Sequence, residues 1–131
     1  MASPGFIPRD RFLAIAGVVV NVLGLVVASW AIHHEDPLQG ANLVLAISAW
    51  IPTAITGLIA SVALISRRRW GMVVAIVALS LQLLTLLPYG IVRLALVSAD
   101  RGLWAVLTGS LLVEAILLIV YWSRALGRYH R

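Results

Sequence analysis

Four long apolar blocks, separated by short polar segments, constrain this chain more than any other feature. The blocks lie at about 12–32, 43–66, 70–97 and 103–123, and each has about the 20 residues that a helix needs to cross a bilayer. Only 11% of the residues are charged and 62% are hydrophobic, whereas a soluble domain has about 25% charged residues. The sequence therefore predicts an all-α integral membrane protein, with one transmembrane domain over residues 1–131.

The linkers between the blocks are short. Pro37 and Gly40 mark the first linker, residues 67–69 form the second, and residues 98–102 offer capping groups before the fourth block. Short connections make consecutive helices antiparallel neighbours, so we expect an up-down four-helix bundle. The alternative is that residues 29–31 are a cleavage site and the first block is a signal peptide, which would leave three helices.

The arginines indicate an orientation. Eight fall on the side that holds both termini and the middle linker, and only two fall on the opposite side. The eight are Arg9, Arg11, Arg67, Arg68, Arg69, Arg124, Arg128 and Arg131, and the two are Arg93 and Arg101. The positive-inside rule then predicts that both termini are cytoplasmic. All ten basic residues are Arg, a bias typical of GC-rich coding sequence, so we expect a bacterial inner membrane.

The first three helices carry small and polar residues at alternating spacings of three and four. Such a stripe suits close helix packing in lipid, where interhelical hydrogen bonds and backbone approach replace the hydrophobic effect. We expect these stripes to face inward or toward a partner, and we expect the fourth helix to contact two neighbours. The stripes are Ala14, Gly17, Asn21, Gly24 and Ala28; Ala46, Ala49, Thr53, Thr56, Ala60 and Ala63; and Gly71, Ala75, Ala78, Gln82, Thr85 and Tyr89.

A polar layer is predicted near the bilayer centre, and Glu114 is its one ionisable member. A charged carboxyl is costly in hydrocarbon, so we expect Glu114 to be neutral at rest and to donate a hydrogen bond to Gln82 or Asn21. Two interpretations remain open: the layer fixes the register of the helices through hydrogen bonds, or it binds a proton or a cation. The layer comprises Asn21, Thr53, Thr56, Gln82, Ser110 and Glu114.

Three further groups of polar residues have a simple structural interpretation beside a functional one. Arg93 is expected at the outer boundary, where it extends to the interface or pairs with Asp100. Residues 67–70 read Arg-Arg-Arg-Trp. This run is expected either to set the membrane topology of the chain or to contact anionic lipid headgroups. His33 and His34 are of metal-ligand type, but adjacent side chains diverge, so no metal site is predicted. Arg67, Arg68, Arg69 and Trp70 are the four residues of the headgroup candidate.

The chain has no cysteine and none of the familiar catalytic or cofactor motifs. We therefore expect a non-enzymatic protein without a cofactor. Its net charge is +5, and the arginines that carry it flank the apolar segments. We therefore expect them to contact lipid headgroups and not nucleic acid. The first functional hypothesis is an accessory subunit that packs against other transmembrane subunits or against copies of itself. The alternative is a small oligomeric proton-coupled carrier, for a cationic or lipid-linked substrate, with Glu114 as its coupling group.

Overall fold

The computed structural model describes residues 7–128 and shows four long helices over this range. Helix α1 spans Pro8–His33, α2 spans Gln39–Ile65, α3 spans Trp70–Leu96 and α4 spans Arg101–Arg128, and each is long and apolar enough to cross a membrane. No strand occurs in the described residues. The prediction of four apolar helices is confirmed, and the largest difference in bounds is at the end of α4, residue 123 against 128.

Local chemistry sets where the helices begin and end. Pro8 opens α1, where its missing N–H costs nothing, and the backbone N–H of Ile7 donates to Asp10 Oδ2 at 3.2 Å. Arg67 and Asp100 adopt left-handed backbone conformations, with φ of 58° and 53°, in the turns that follow α2 and α3. These turns reverse the chain within a few residues, so consecutive helices run in opposite directions.

Helix α2 contains one irregular turn. Residues Ala46–Trp50 form a π-helical turn just before Pro52. Proline lacks the N–H that would bond back along the helix, and a wider turn relieves the resulting gap in the hydrogen-bond ladder. From the sequence we also expect a bend at Pro88, and α3 remains α-helical through that residue to Leu96.

Small residues bring consecutive helices together. Gly17 of α1 lies against Ser61 of α2, where an added Cβ would overlap the serine hydroxyl. Gly71 of α3 also lies close to α2, since an added Cβ would stand 3.0 Å from the Ala63 Cβ. Gly90 of α3 lies against Thr108 of α4. Close backbone approach of this kind is the main way in which helices associate in lipid.

The stripe on α2 is wider than predicted. Ala46, Ala60 and Ala63 are buried as expected, but Ala54, Gly57 and Ser61 are buried as well. The reason is that α2 packs on both α1 and α3 and needs two small-residue faces. In α1, Ala14 and Ala28 are buried but Gly24 is exposed; in α3, Gly71, Ala75 and Ala78 are buried.

The bundle is open on one side. Within the described residues, no Cα atom of α1 comes within 8 Å of a Cα atom of α4, so the backbone of α4 approaches α3 alone. The expectation that α4 contacts two neighbours is confirmed only through side chains: its backbone approaches α3, while Tyr121 and Arg128 reach Asp10 of α1. Ala105 and Gly109 on α4 are exposed. In a bilayer, lipid would solvate apolar side chains as well as another helix does, so no hydrophobic force would drive α1 and α4 together.

Candidate functional site

The gap between α1 and α4 is a groove of about 850 Å³ whose floor is formed by α2 and α3. Its flanks carry exposed apolar side chains: Val106 and Leu117 on α4 are 67% and 63% exposed, and Val20 on α1 is 44% exposed. Exposed flanks mean that the groove opens sideways from the bundle, toward the region that lipid chains would occupy. We call it the lateral groove.

Glu114 lies in the lateral groove beside Gln82. The amide nitrogen of Gln82 donates to Glu114 Oε2 at 3.3 Å and to the backbone carbonyl of Leu111 at 3.2 Å. The amide is therefore the donor, opposite to the predicted direction. A carboxyl that accepts from an amide retains its second oxygen for another partner.

The structure brings five of the six predicted polar-layer residues to the lateral groove. Thr56 is the exception, because it is absent from the lining and its hydroxyl donates to the Pro52 carbonyl of its own helix at 2.7 Å. Asn21 faces the groove, and its amide nitrogen donates to the Gly17 carbonyl at 2.7 Å; of the two predicted partners of Glu114, Gln82 contacts it and Asn21 does not. The five lining residues are Asn21, Thr53, Gln82, Ser110 and Glu114.

Glu114 is the only ionisable residue among the described residues that line the lateral groove. The remaining polar groups are amides and hydroxyls, which bind without fixed charge. The rest of the lining is aliphatic or small, apart from Trp122 at one end. The arrangement offers one negative charge, or one proton, within an apolar surface.

A second polar cluster lies beyond the lateral groove, at the end that holds the start of α1 and the end of α4. Asp10 is fully buried and accepts from Arg128 Nη2 through both carboxylate oxygens, at 2.9 and 2.7 Å. The hydroxyl of Tyr121 also donates to Asp10, and Arg9 Nε lies 3.3 Å from the same hydroxyl. We call these residues the terminal latch. Their side chains join α1 to α4 although the two backbones stay apart.

Sequence reasoning missed the terminal latch. Asp10 falls before the predicted start of the first helix, and its partners are 111 and 118 positions away. The only local signal is an acidic residue in the first turn of a helix, which usually indicates capping alone.

A third cluster lies at the opposite end and centres on Arg93. Its guanidinium donates to both oxygens of Asp36, at 3.1 and 2.6 Å, and to the Tyr89 hydroxyl at 2.9 Å. The cation also lies 3.9 Å from the ring centroid of Trp104. Tyr89 in turn donates to Asn42 Oδ1 at 2.5 Å. These contacts tie the turn between α1 and α2 to α3 and α4.

Of the two roles predicted for Arg93, the pairing with Asp100 is wrong, because its partner is Asp36. Asp100 is exposed at the start of α4, whereas Asp36 is reached across 57 positions of sequence. Arg93 is buried, with only 4% of its surface exposed, so an exposed acid could not neutralise it and the nearby Asp36 does. The donated hydrogen bond from Arg93 lowers the pKa of Asp36 below its ordinary value.

The other polar candidates stay separate from the lateral groove. His33 is within 2.9 Å of the Ser29 carbonyl through Nδ1, and the ring of His34 stacks on Trp30 with centroids 4.2 Å apart. Over residues 7–128 no three His, Cys, Asp or Glu side chains come together as a metal site. Residues 67–70 are exposed at the turn between α2 and α3.

Comparison of the chain with protein-family models, curated proteins and solved structures finds no match.

Proposed function

We propose that this protein is a small multi-pass carrier of the bacterial inner membrane, and that the lateral groove binds an amphipathic cation in exchange for a proton. The observation that carries the proposal is the position of Glu114, a lone carboxyl beside Gln82 inside an apolar groove. Ionisable groups within membrane segments are rare and are usually kept for transport of ions or protons.

The size of the lateral groove favours a small molecule. Its volume of about 850 Å³ falls within the roughly 300–1,000 Å³ typical of ligand sites. A mostly apolar surface with a few polar groups is also the usual composition of such sites. A ligand with an apolar body and a single positive charge matches this lining and the one carboxyl.

Exchange follows from the charge balance in the groove. A carboxylate in hydrocarbon is costly when unpaired, so Glu114 is stable either protonated or paired with a cation. Binding of one monovalent cation therefore releases one proton, and the total charge in the groove stays the same. The open flank between α1 and α4 gives a lipophilic cation a path from the bilayer.

The distribution of arginine supports an orientation with both termini in the cytoplasm. Seven of the eight arginines counted above are in the described residues and lie toward the end where α1 begins and α4 ends, and an excess of arginine marks the cytoplasmic side of membrane proteins. The terminal latch would then lie beyond the cytoplasmic end of the lateral groove.

Binding of tetraphenylphosphonium, a permanently charged lipophilic cation, tests this function. We expect the purified protein to bind it, with affinity that falls as the pH is lowered because protons compete for Glu114. Glu114→Gln should weaken binding about tenfold or more, equivalent to about 1.4 kcal/mol. Glu35→Gln is the matched control, since Glu35 is the other glutamate and is exposed outside the groove. Equal affinity of the Glu114→Gln variant and the unchanged protein would refute the proposal.

An accessory subunit is the second candidate. Exposed Ala105 and Gly109 on the α4 flank favour it, because small residues are the ones that admit a neighbouring helix. In this case the lateral groove would hold a transmembrane segment of another subunit, or of a second copy. Extraction in mild detergent separates the candidates: a fixed set of co-purifying polypeptides favours the subunit, and a monomer or homo-oligomer with cation binding favours the carrier.

A further inference from the structure

A second, shallower groove lies where α2 ends and α3 begins. Its volume is about 470 Å³, and it shares no lining residue with the lateral groove. One end is apolar and the other end carries a positive charge. The lining residues are Leu58, Ile59, Val62, Ala63, Ser66, Arg68 and Trp70. We call it the end groove.

The apolar part follows one face of α2. Leu58 and Val62 are one helical turn apart and Ile59 lies beside them, so their side chains form a continuous strip. Ile59 and Val62 are 50% and 56% exposed. This strip faces away from the lateral groove.

The charged part is the turn that follows α2. Arg68 lines the end groove, and Arg67 and Arg69 flank it in sequence with no acidic residue between Leu58 and Trp70. Arg67 occupies a left-handed backbone position that usually favours Gly or Asn. Trp70, which is 52% exposed, is of the type that lies at the level of lipid headgroups.

We propose that the end groove binds an anionic phospholipid, with one acyl chain along Leu58, Ile59 and Val62 and the phosphate at Arg68. The groove has an apolar strip on α2 and, at the turn that follows, Arg68 and Trp70, as a lipid has an acyl chain at one end and a phosphate at the other. A soluble anion would contact only the arginines and leave the apolar strip empty. A zwitterionic lipid would be attracted less strongly to the arginines than an anionic lipid. This site does not depend on transport through the lateral groove.

Competition between two lipids tests the site. The delipidated protein is given equal amounts of phosphatidylglycerol and phosphatidylcholine with identical chains, and the retained lipid is counted by native mass spectrometry. We expect preferential retention of phosphatidylglycerol. Arg68→Gln should lower that preference about fivefold, which corresponds to the roughly 1 kcal/mol that one Arg contributes near anionic lipid. Arg124→Gln, an exposed arginine outside both grooves, should leave it unchanged.

A second variant tests the acyl-chain half of the site. Val62→Phe fills the apolar strip without a change of charge and should also reduce retention, while Val26→Phe, an exposed valine on α1, should not. Equal retention of the two lipids by the unchanged protein would overturn the proposal. That result would show no preference for the anionic headgroup. Equal effects of Arg68→Gln and Arg124→Gln, or full retention in Val62→Phe, would also overturn the proposal, because either would leave only nonspecific attraction to charge.

Discussion

Asp10 and Arg128 lie 118 positions apart and form a two-oxygen hydrogen-bonded ion pair between the start of α1 and the end of α4. The pair joins two helices between which no Cα atoms come within 8 Å of each other in the described residues. Asp10 has no exposed surface, whereas the Arg128 side chain is 33% exposed. The two helices are thus joined at this end by side chains instead of by helix packing.

Substitution of Asp10 by Asn should destabilise the protein by about 2 kcal/mol. Removal of one partner from a buried ion pair costs roughly 3–5 kcal/mol, and solvent near the partly exposed Arg128 reduces this figure. Reversible unfolding in mixed micelles measures the change. Asp100→Asn, which alters an exposed acid, is the control and should change stability by less than about 0.5 kcal/mol. Equal stability of the two variants would show that the terminal latch contributes nothing.

Gly57→Ala should disturb the contact between α1 and α2. An added Cβ at residue 57 would stand 2.7 Å from both Cγ and Nδ2 of Asn21, and overpacking of this kind costs about 1–3 kcal/mol. Gly109→Ala is the matched control, since nothing lies within 4 Å of its added Cβ. Thermal unfolding should show a lower midpoint for Gly57→Ala and an unchanged or slightly higher midpoint for Gly109→Ala. The reverse order would mean that α1 and α2 do not pack through this residue.

The ion pair between Asp36 and Arg93 predicts an acid-dependent loss of stability. The pKa of Asp36 is lowered, chiefly by the hydrogen bond from Arg93, so its contribution is fully present above the ordinary value of 3.8 and is lost as pH falls through the lowered value. Unfolding measured from neutral pH down to strong acid should therefore show a decline confined to the acid range. Asp36→Asn should be less stable at neutral pH and should show less of this decline than Asp100→Asn. Parallel pH profiles for the two variants would contradict the assignment.

Sequence patterns predicted the helices and part of the groove chemistry, and the reasons are physical. Block length and hydropathy determine which segments can cross a bilayer, and helical periodicity places Gln82 and Glu114 on helix faces at similar depth. Periodicity does not say which helices become neighbours. The gap between α1 and α4 depends on which helices become neighbours, and so do the pairs Asp10–Arg128 and Asp36–Arg93. These features can therefore be seen only in the structure.

Proton release during cation binding tests the role of Glu114 most directly. Calorimetric titration of the protein with tetraphenylphosphonium, in two buffers of different ionisation enthalpy, gives the number of protons released. We expect up to about one proton per bound cation, with a smaller number as the pH is raised, and none in Glu114→Gln. Binding without proton release at every pH, or release that persists in Glu114→Gln, would contradict the exchange of a cation for a proton in the lateral groove.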